Sequence, residues 1–150
     1  GNMANEPSVA SQFSEAALEE ALIDIGKFED DRGLLIMAKP KKLVFPTELQ
    51  FIAKRVLWSE KLPGTGDNDI NPVKSMGMLA EGQANLSRIT STTAWWVQTD
   101  APEGLKLMMR RGLEKSMEGD FETDSMRYKA TERYALGWTD PRAVWGTSGV

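Results

Sequence analysis

The 150-residue chain contains no cysteine and no histidine. Without cysteine there are no disulfides, no thiolate nucleophile and no cysteine-bound zinc. Without histidine the usual imidazole base and the commonest metal ligand are missing too. Together these absences remove the groups behind most acyl-transfer and zinc chemistry, leaving only carboxylate or lysine catalysis open. No apolar run approaches the roughly 18 residues that would span a bilayer, so no membrane role is expected. The first twelve residues lack the basic start and apolar stretch of a secretory leader, which makes a reducing cytoplasm the expected site of synthesis. The net charge is −4 and no basic stripe stands out. Because phosphate neutralisation supplies most nucleic-acid affinity, sequence-specific binding to nucleic acid is not expected.

What is present suits a folded domain. Hydrophobic residues make up 41% and charged residues 27%, close to ordinary globular usage, and 150 residues can bury a substantial core. Residues 1–13 are polar and hold Pro7, reading as a linker or extended arm. Ser14 is a good N-cap, with Glu15 at the positive end of the helix dipole. Ala17, Leu18, Ala21, Leu22, Ile25 and Phe28 fall on one helical face. The polar stretch Glu29 to Gly33 should end that helix, with Gly33 turning the chain.

Leu34 to Ala38 is a short apolar run of the kind that forms a strand buried on both faces, and Leu43 to Phe45 is a second strand. Thr47 and Gln50 have capping-box spacing. The helix they open carries an apolar stripe of Leu49, Ile52, Ala53, Val56 and Leu57. Phe51 and Trp58 lie on the opposite side, flanked by Lys54 and Arg55. Either a neighbouring loop or sheet of the same domain covers them, or they belong to a subunit contact, where aromatic and Arg residues are enriched.

Residues 61–77 read as a long Gly/Pro/Asn/Asp loop. Asp67, Asn68 and Asp69 begin a calcium-loop pattern, but Pro72 stands where a Gly is needed and Met78 where a bidentate Glu belongs, so an Asx-rich turn is favoured. Gly64-Thr65-Gly66 lacks the Lys-Ser/Thr pair of a phosphate cradle. Asn85-Leu86-Ser87 is a glycosylation sequon, expected to be chance because no secretory route is expected for the chain. Strands are expected at Met78–Leu86, Thr92–Thr99 and Leu105–Arg110. In the second of these, adjacent Trp95 and Trp96 must point to opposite faces, so cover on both sides is expected. Met126 to Leu136 alternates apolar and polar residues over eleven positions, broken only by Glu132, and predicts a half-solvated antiparallel strand. Gly137 to Arg142 follows as a turn and Gly146 to Gly149 as a tail. Helix, strands, helix, loop, then mostly strands suits an α+β fold.

Several segments, in this order, resemble the C-terminal half of tailed-phage major capsid proteins of the Hong Kong 97 type. They are Ser14 to Gly33, Lys39-Pro40-Lys41-Lys42-Leu43-Val44-Phe45-Pro46-Thr47, Asn68-Asp69-Ile70-Asn71-Pro72, Thr92 to Trp96, Asp100 to Leu105, and Tyr128 to Arg142 closing on Gly146-Thr147-Ser148-Gly149. The resemblance implies a Hong Kong 97-type capsid fold. Residues 14–33 would be the spine helix and turn of a peripheral domain. Residues 34–125 would be mainly an axial domain with a mixed central sheet flanked by helices, and 126–150 the terminal strand and tail. It implies a major capsid subunit that self-assembles into pentamers and hexamers of an icosahedral phage shell around DNA, with no enzymatic activity, no cofactor and no metal.

The expected partners are other coat subunits, with scaffolding, portal or decoration proteins as further candidates. The expected location is the virion, assembled in the host cytoplasm. Phe51, Arg55, Trp58, Asp67, Asn68 and Asp69 are the candidate interface residues. The family's N-terminal arm, extended hairpin loop and any scaffolding region are expected ahead of Gly1, which would make the chain a fragment or processed piece. An encapsulin-like compartment protein is the nearest alternative. A small-molecule-binding α+β domain with an aromatic pocket at Trp95 and Trp96 is another.

Overall fold

A computed structural model describes residues 5–7, 9–61 and 69–149. Its order is α1 (Glu15–Gly26), β1 (Pro40–Phe45), a 3-10 turn (Thr47–Leu49) running into α2 (Gln50–Trp58), α3 (Pro72–Met76), β2 (Gln83–Asn85), β3 (Trp95–Thr99), β4 (Leu105–Asp120), β5 (Ser125–Trp138), a second 3-10 turn (Pro141–Ala143) and β6 (Val144–Thr147). The fold is α+β, as the element order implied. Four strands form one mixed sheet in the order β2-β1-β3-β6, with β2 parallel to β1 and the other pairs antiparallel. β4 and β5 pair only with each other.

Register explains the core. Leu43 pairs with Val97 and Val97 with Trp145, so all three share a face. With Phe45 and Trp95 they pack against the buried residues of α1 and α2 in one cluster. On α1 these are Ala17, Leu18, Ala21, Leu22 and Ile25, at the spacing the sequence predicts. Trp95 is the centre. Its ring meets Phe13 edge-on at 5.2 Å and Trp145 at 5.3 Å, and its indole N–H donates to the Ser11 carbonyl at 3.4 Å. The N-terminal arm is therefore held against the body. The Asn5 side chain donates to the Pro141 and Val144 carbonyls, and the Asn5 carbonyl accepts from the Gly146 N–H.

Several expectations need correction. Ser14 caps α1 through the Ala17 N–H, but the helix stops at Gly26, ahead of Phe28, because glycine weakens the last turn. Gly33, at φ 79°, does turn the chain, helped by Asp30 Oδ1 accepting from the Arg32 and Leu34 N–H groups. Leu34 to Ala38 is no buried strand. It makes one isolated bridge, Glu29 with Leu35, and leaves Leu34, Leu35 and Met37 exposed. The Thr47–Gln50 capping box does not form either. Thr47 Oγ1 bonds Asn85 Oδ1 and Gln50 Oε1 accepts from Asn85 Nδ2, so tertiary partners on β2 take both side chains. Trp96 is only half covered, over Gly146, where a Cβ would stand 2.2 Å from its ring.

Two short elements were hidden from the pattern. α3 interrupts the expected loop, with Asn71 as N-cap, Pro72 in the first turn and Gly77 left-handed at the end. Asn71 is 1% exposed, and its Nδ2 donates to the Val56 carbonyl at 2.6 Å, tying α3 to α2. Asn71→Ala removes this buried bond and the cap together. A loss of about 2 kcal/mol is expected, read as a lower urea midpoint at unchanged slope. β6 replaces the expected tail, because Val144 and Trp145 pair with Gln98 and Val97 on the sheet edge.

Candidate subunit interface

Exposed apolar side chains are concentrated on the β4–β5 hairpin, with smaller groups on α2 and in the Leu34–Met37 segment. On α2, Ala53 and Val56 are buried, while Phe51 is 70% and Trp58 55% exposed. Phe51, Lys54, Arg55 and Trp58 stand at i, i+3, i+4 and i+7, which puts them on one outward ridge. Lys54 Nζ sits 4.0 Å from the Trp58 ring centroid, a cation–π contact that orders the ridge. Against the described residues both aromatics stay largely exposed, Trp58 at the rim of a shallow cleft with Leu57, Val73 and Leu79. Phe51, Arg55 and Trp58 thus come together as a surface. Asp69 lies exposed beside the bridge between Lys61 and Ile70, and Asp67 and Asn68 lie outside the described residues.

The hairpin is the larger finding, and the sequence shows only half of it. β4 runs sixteen residues, well beyond the expected end at Arg110, and β5 runs fourteen. Directly paired residues share a face. One face pairs Leu105 with Trp138, Leu107 with Leu136, Met109 with Tyr134 and Met117 with Tyr128. The other pairs Lys106 with Gly137, Met108 with Ala135, Ser116 with Lys129 and Glu118 with Arg127, and is polar apart from Met108 and Ala135. Two register shifts, between Met109 and Arg111 and between Arg111 and Glu114, each add one residue to β4. One such bulge would flip the remaining side chains to the wrong face; two restore the alternation. Glu132, the one break in the β5 pattern, falls opposite this irregular interval.

The period-two pattern of β5 therefore marks an antiparallel strand as expected, but its apolar side is not half buried. Leu105, Leu107, Met117, Tyr128, Tyr134, Leu136 and Trp138 are all exposed. Alternation in a sequence reports that a face will be covered, not that the same chain covers it.

The hairpin's root is fixed. The Thr139 and Asp140 N–H groups donate to the Gly104 and Glu103 carbonyls, and Thr99 Oγ1 donates to the Arg142 carbonyl at 2.6 Å. Arg142 Nε donates to Asp140 Oδ1 at 2.8 Å and Nη1 to the Glu29 carbonyl at 3.2 Å, linking the root to the turn after α1. The Arg142 hydrogen bond holds the Asp140 carboxyl below its ordinary range, outweighing a smaller upward push from burial. A depressed folded pKa means this latch contributes fully above about pH 4, the unfolded Asp value, and is lost as pH falls through the lower folded value. The protection of the Arg142 and Ala143 amides relative to their intrinsic exchange rates is accordingly expected to hold constant down to that point and to fall below it. Asp140→Asn is expected to show the lower protection already at neutral pH.

An apolar groove of about 320 Å³ lies between α1 and α3, lined by Leu22, Ile23, Gly26, Val73, Met76 and Met78. Of the adjacent tryptophans, Trp95 is fully buried between Phe13 and Trp145 and Trp96 is half covered. Among the described residues no cluster of three or more carboxylates has the arrangement of a metal site. Among the described residues no helix is long and apolar enough to cross a membrane.

No curated protein matches the sequence. Among solved structures, the crystal structure of the virus-like particle from Pyrococcus furiosus superposes with a TM-score of 0.56 at 11% identity, over 98% of this chain and 57% of that one. The chain thus spans little more than half the length of that solved chain, and the likeness is one of fold. The family described as phage capsid protein matches residues 2–146. With the match running over nearly all its length, this chain belongs to the phage capsid protein family.

Proposed function

We propose that the chain is the C-terminal, shell-forming part of a tailed-phage major capsid protein with the Hong Kong 97-type fold, closing with its copies into an icosahedral shell around DNA. In this reading it tiles as pentamers and hexamers through heterologous contacts, in which different patches of each subunit meet around a ring. α1 belongs to the peripheral domain, and α2 with the mixed sheet to the axial domain. Its role is structural and not catalytic. Coat subunits are its main partners, with scaffolding, portal or decoration proteins as candidates, and its place is the virion, assembled in the host cytoplasm.

The observation that carries the reading is the hairpin. A two-stranded ribbon is marginal in water by itself, because it has no second layer against which to bury a face. Here one of its faces is apolar along most of its length and uncovered. Such a face is stable and soluble only when other copies or other parts of the coat protein close over it.

The ridge on α2 supplies a test. Phe51→Asp with Trp58→Asp alters two exposed side chains, so the folded subunit is expected to keep its circular dichroism spectrum and nearly its melting temperature. Full-length coat protein carrying both changes is expected to give no closed particles by electron microscopy. Normal particles would remove the ridge from the interface. The contents of wild-type particles separate a phage shell, which protects DNA from nuclease, from an encapsulin-like compartment, which holds a protein cargo.

A further inference from the structure

The hairpin tip and the α2 ridge have opposite charge and the same apolar character. At the tip, Phe121 is fully exposed in the turn between β4 and β5. Around it stand Glu118, Asp120, Glu122 and Asp124 with one cation, Arg127, which pairs with Asp120 and stands opposite Glu118; among the described residues Glu118, Glu122 and Asp124 have no ion-pair partner, so the tip keeps a net negative charge. On the ridge, Lys54 and Arg55 stand between Phe51 and Trp58, and neither cation is paired with a carboxylate among the described residues. Each patch therefore offers what the other lacks: an aromatic ringed by acids against aromatics interleaved with bases.

Within one chain the two patches do not meet, since Phe121, Phe51 and Trp58 are all exposed. Sixteen residues of strand carry the tip roughly 50 Å from the root at about 3.3 Å per residue. Resting on the shell reading above, we propose that the occupant of the α2 ridge is the hairpin tip of a second copy. Phe121 packs against Phe51 and Trp58, while Glu122 and Asp124 pair with Lys54 and Arg55. Tip and ridge are different surfaces, so the contact is head-to-tail: every subunit both gives a tip and receives one. Contacts of that kind do not stop at dimers: they build rings where the rotation closes and open filaments where it does not. The apolar part supplies the desolvated centre, and the charges select the partner and speed the encounter.

A charge exchange tests this with the intact chain. One variant carries Glu122→Lys with Asp124→Lys, and a second carries Lys54→Glu with Arg55→Glu. In each variant alone, tip and ridge carry the same sign, so association by sedimentation velocity at low ionic strength is expected to weaken by roughly tenfold or more. Mixed one to one, the reversed tip meets the reversed ridge and the native tip meets the native ridge, so association is expected to return. Recovery on mixing is a result that general destabilisation cannot produce, and circular dichroism of each variant alone reports folding separately.

Variants that associate like wild type, or a mixture that fails to recover, overturn the contact. A wild-type chain that sediments as a monomer at every concentration overturns it as well. Closed shells formed by either variant alone would sink this contact and leave the shell reading standing.

Discussion

Trp95→Ala is expected to destabilise the folded chain by about 3–5 kcal/mol, the usual cost of emptying a large aromatic site. Trp95 has no exposed surface and stands where three parts of the chain converge. Phe13 meets it from the N-terminal arm, Trp145 from β6, and the helix residues of the same cluster from the layer above. Little can collapse into the space, because Leu43, Val97 and Trp145 are fixed by strand register. The indole bond to the Ser11 carbonyl is lost too, loosening the arm. Against a total of about 5–15 kcal/mol for a domain, this is a large share of the stability. In a chain of this size it corresponds to a melting temperature lower by roughly 10 °C, measurable by calorimetry. A shift of only a degree or two would mean that the core is not organised around Trp95.

Shortening the hairpin is expected to have the opposite profile: little effect on the subunit and a complete effect on assembly. Leu107 and Leu136 are a register pair, so an Asn-Gly turn can join them in place of residues 108–135. The root bonds at Glu103, Gly104, Thr139 and Asp140 all lie outside the deletion. The removed segment pairs only with itself and none of it lies in the core cluster. The truncated protein should therefore melt within a few degrees of the parent, about what one kcal/mol moves in a chain of this size. Particle yield should fall to nothing. Normal particles from the truncated protein would mean that the exposed apolar face has no role in the shell.

How much of this was legible in the sequence depends on where each signal is read. α1 and α2 were, because Ala17 to Ile25 and Ala53 to Val56 bury against their own chain at the helical period. The inner strands were, since Leu43, Phe45, Trp95 and Val97 repeat every second residue. The second half of β4 was not. From Arg111 to Asp120 the apolar beat is lost among charges and shifted by two bulges, and only pairing with β5 makes it a strand. β6 was missed for a similar reason, as four residues ending in Gly146-Thr147 have no period of their own and take their structure from β3. Leu34 to Ala38 erred the other way: an apolar run suggested burial, yet three of its side chains face out.

The candidate site was legible in part. Phe51 and Trp58, on the wrong side of an otherwise regular amphipathic helix, marked a surface. The hairpin's exposed apolar face could have been marked the same way, but alternation alone does not say which chain will cover it. The strand order, which sets β4 and β5 apart from the four-stranded sheet, and the exposure of these side chains show that the described residues leave it open.

The most direct test is electron microscopy of the purified full-length coat protein after expression. Closed, uniform, icosahedral particles, in whose reconstruction the β4–β5 hairpin of each subunit lies against a neighbour, are the predicted result. A protein that stays monomeric at every concentration, with the hairpin free in solution, would contradict the account.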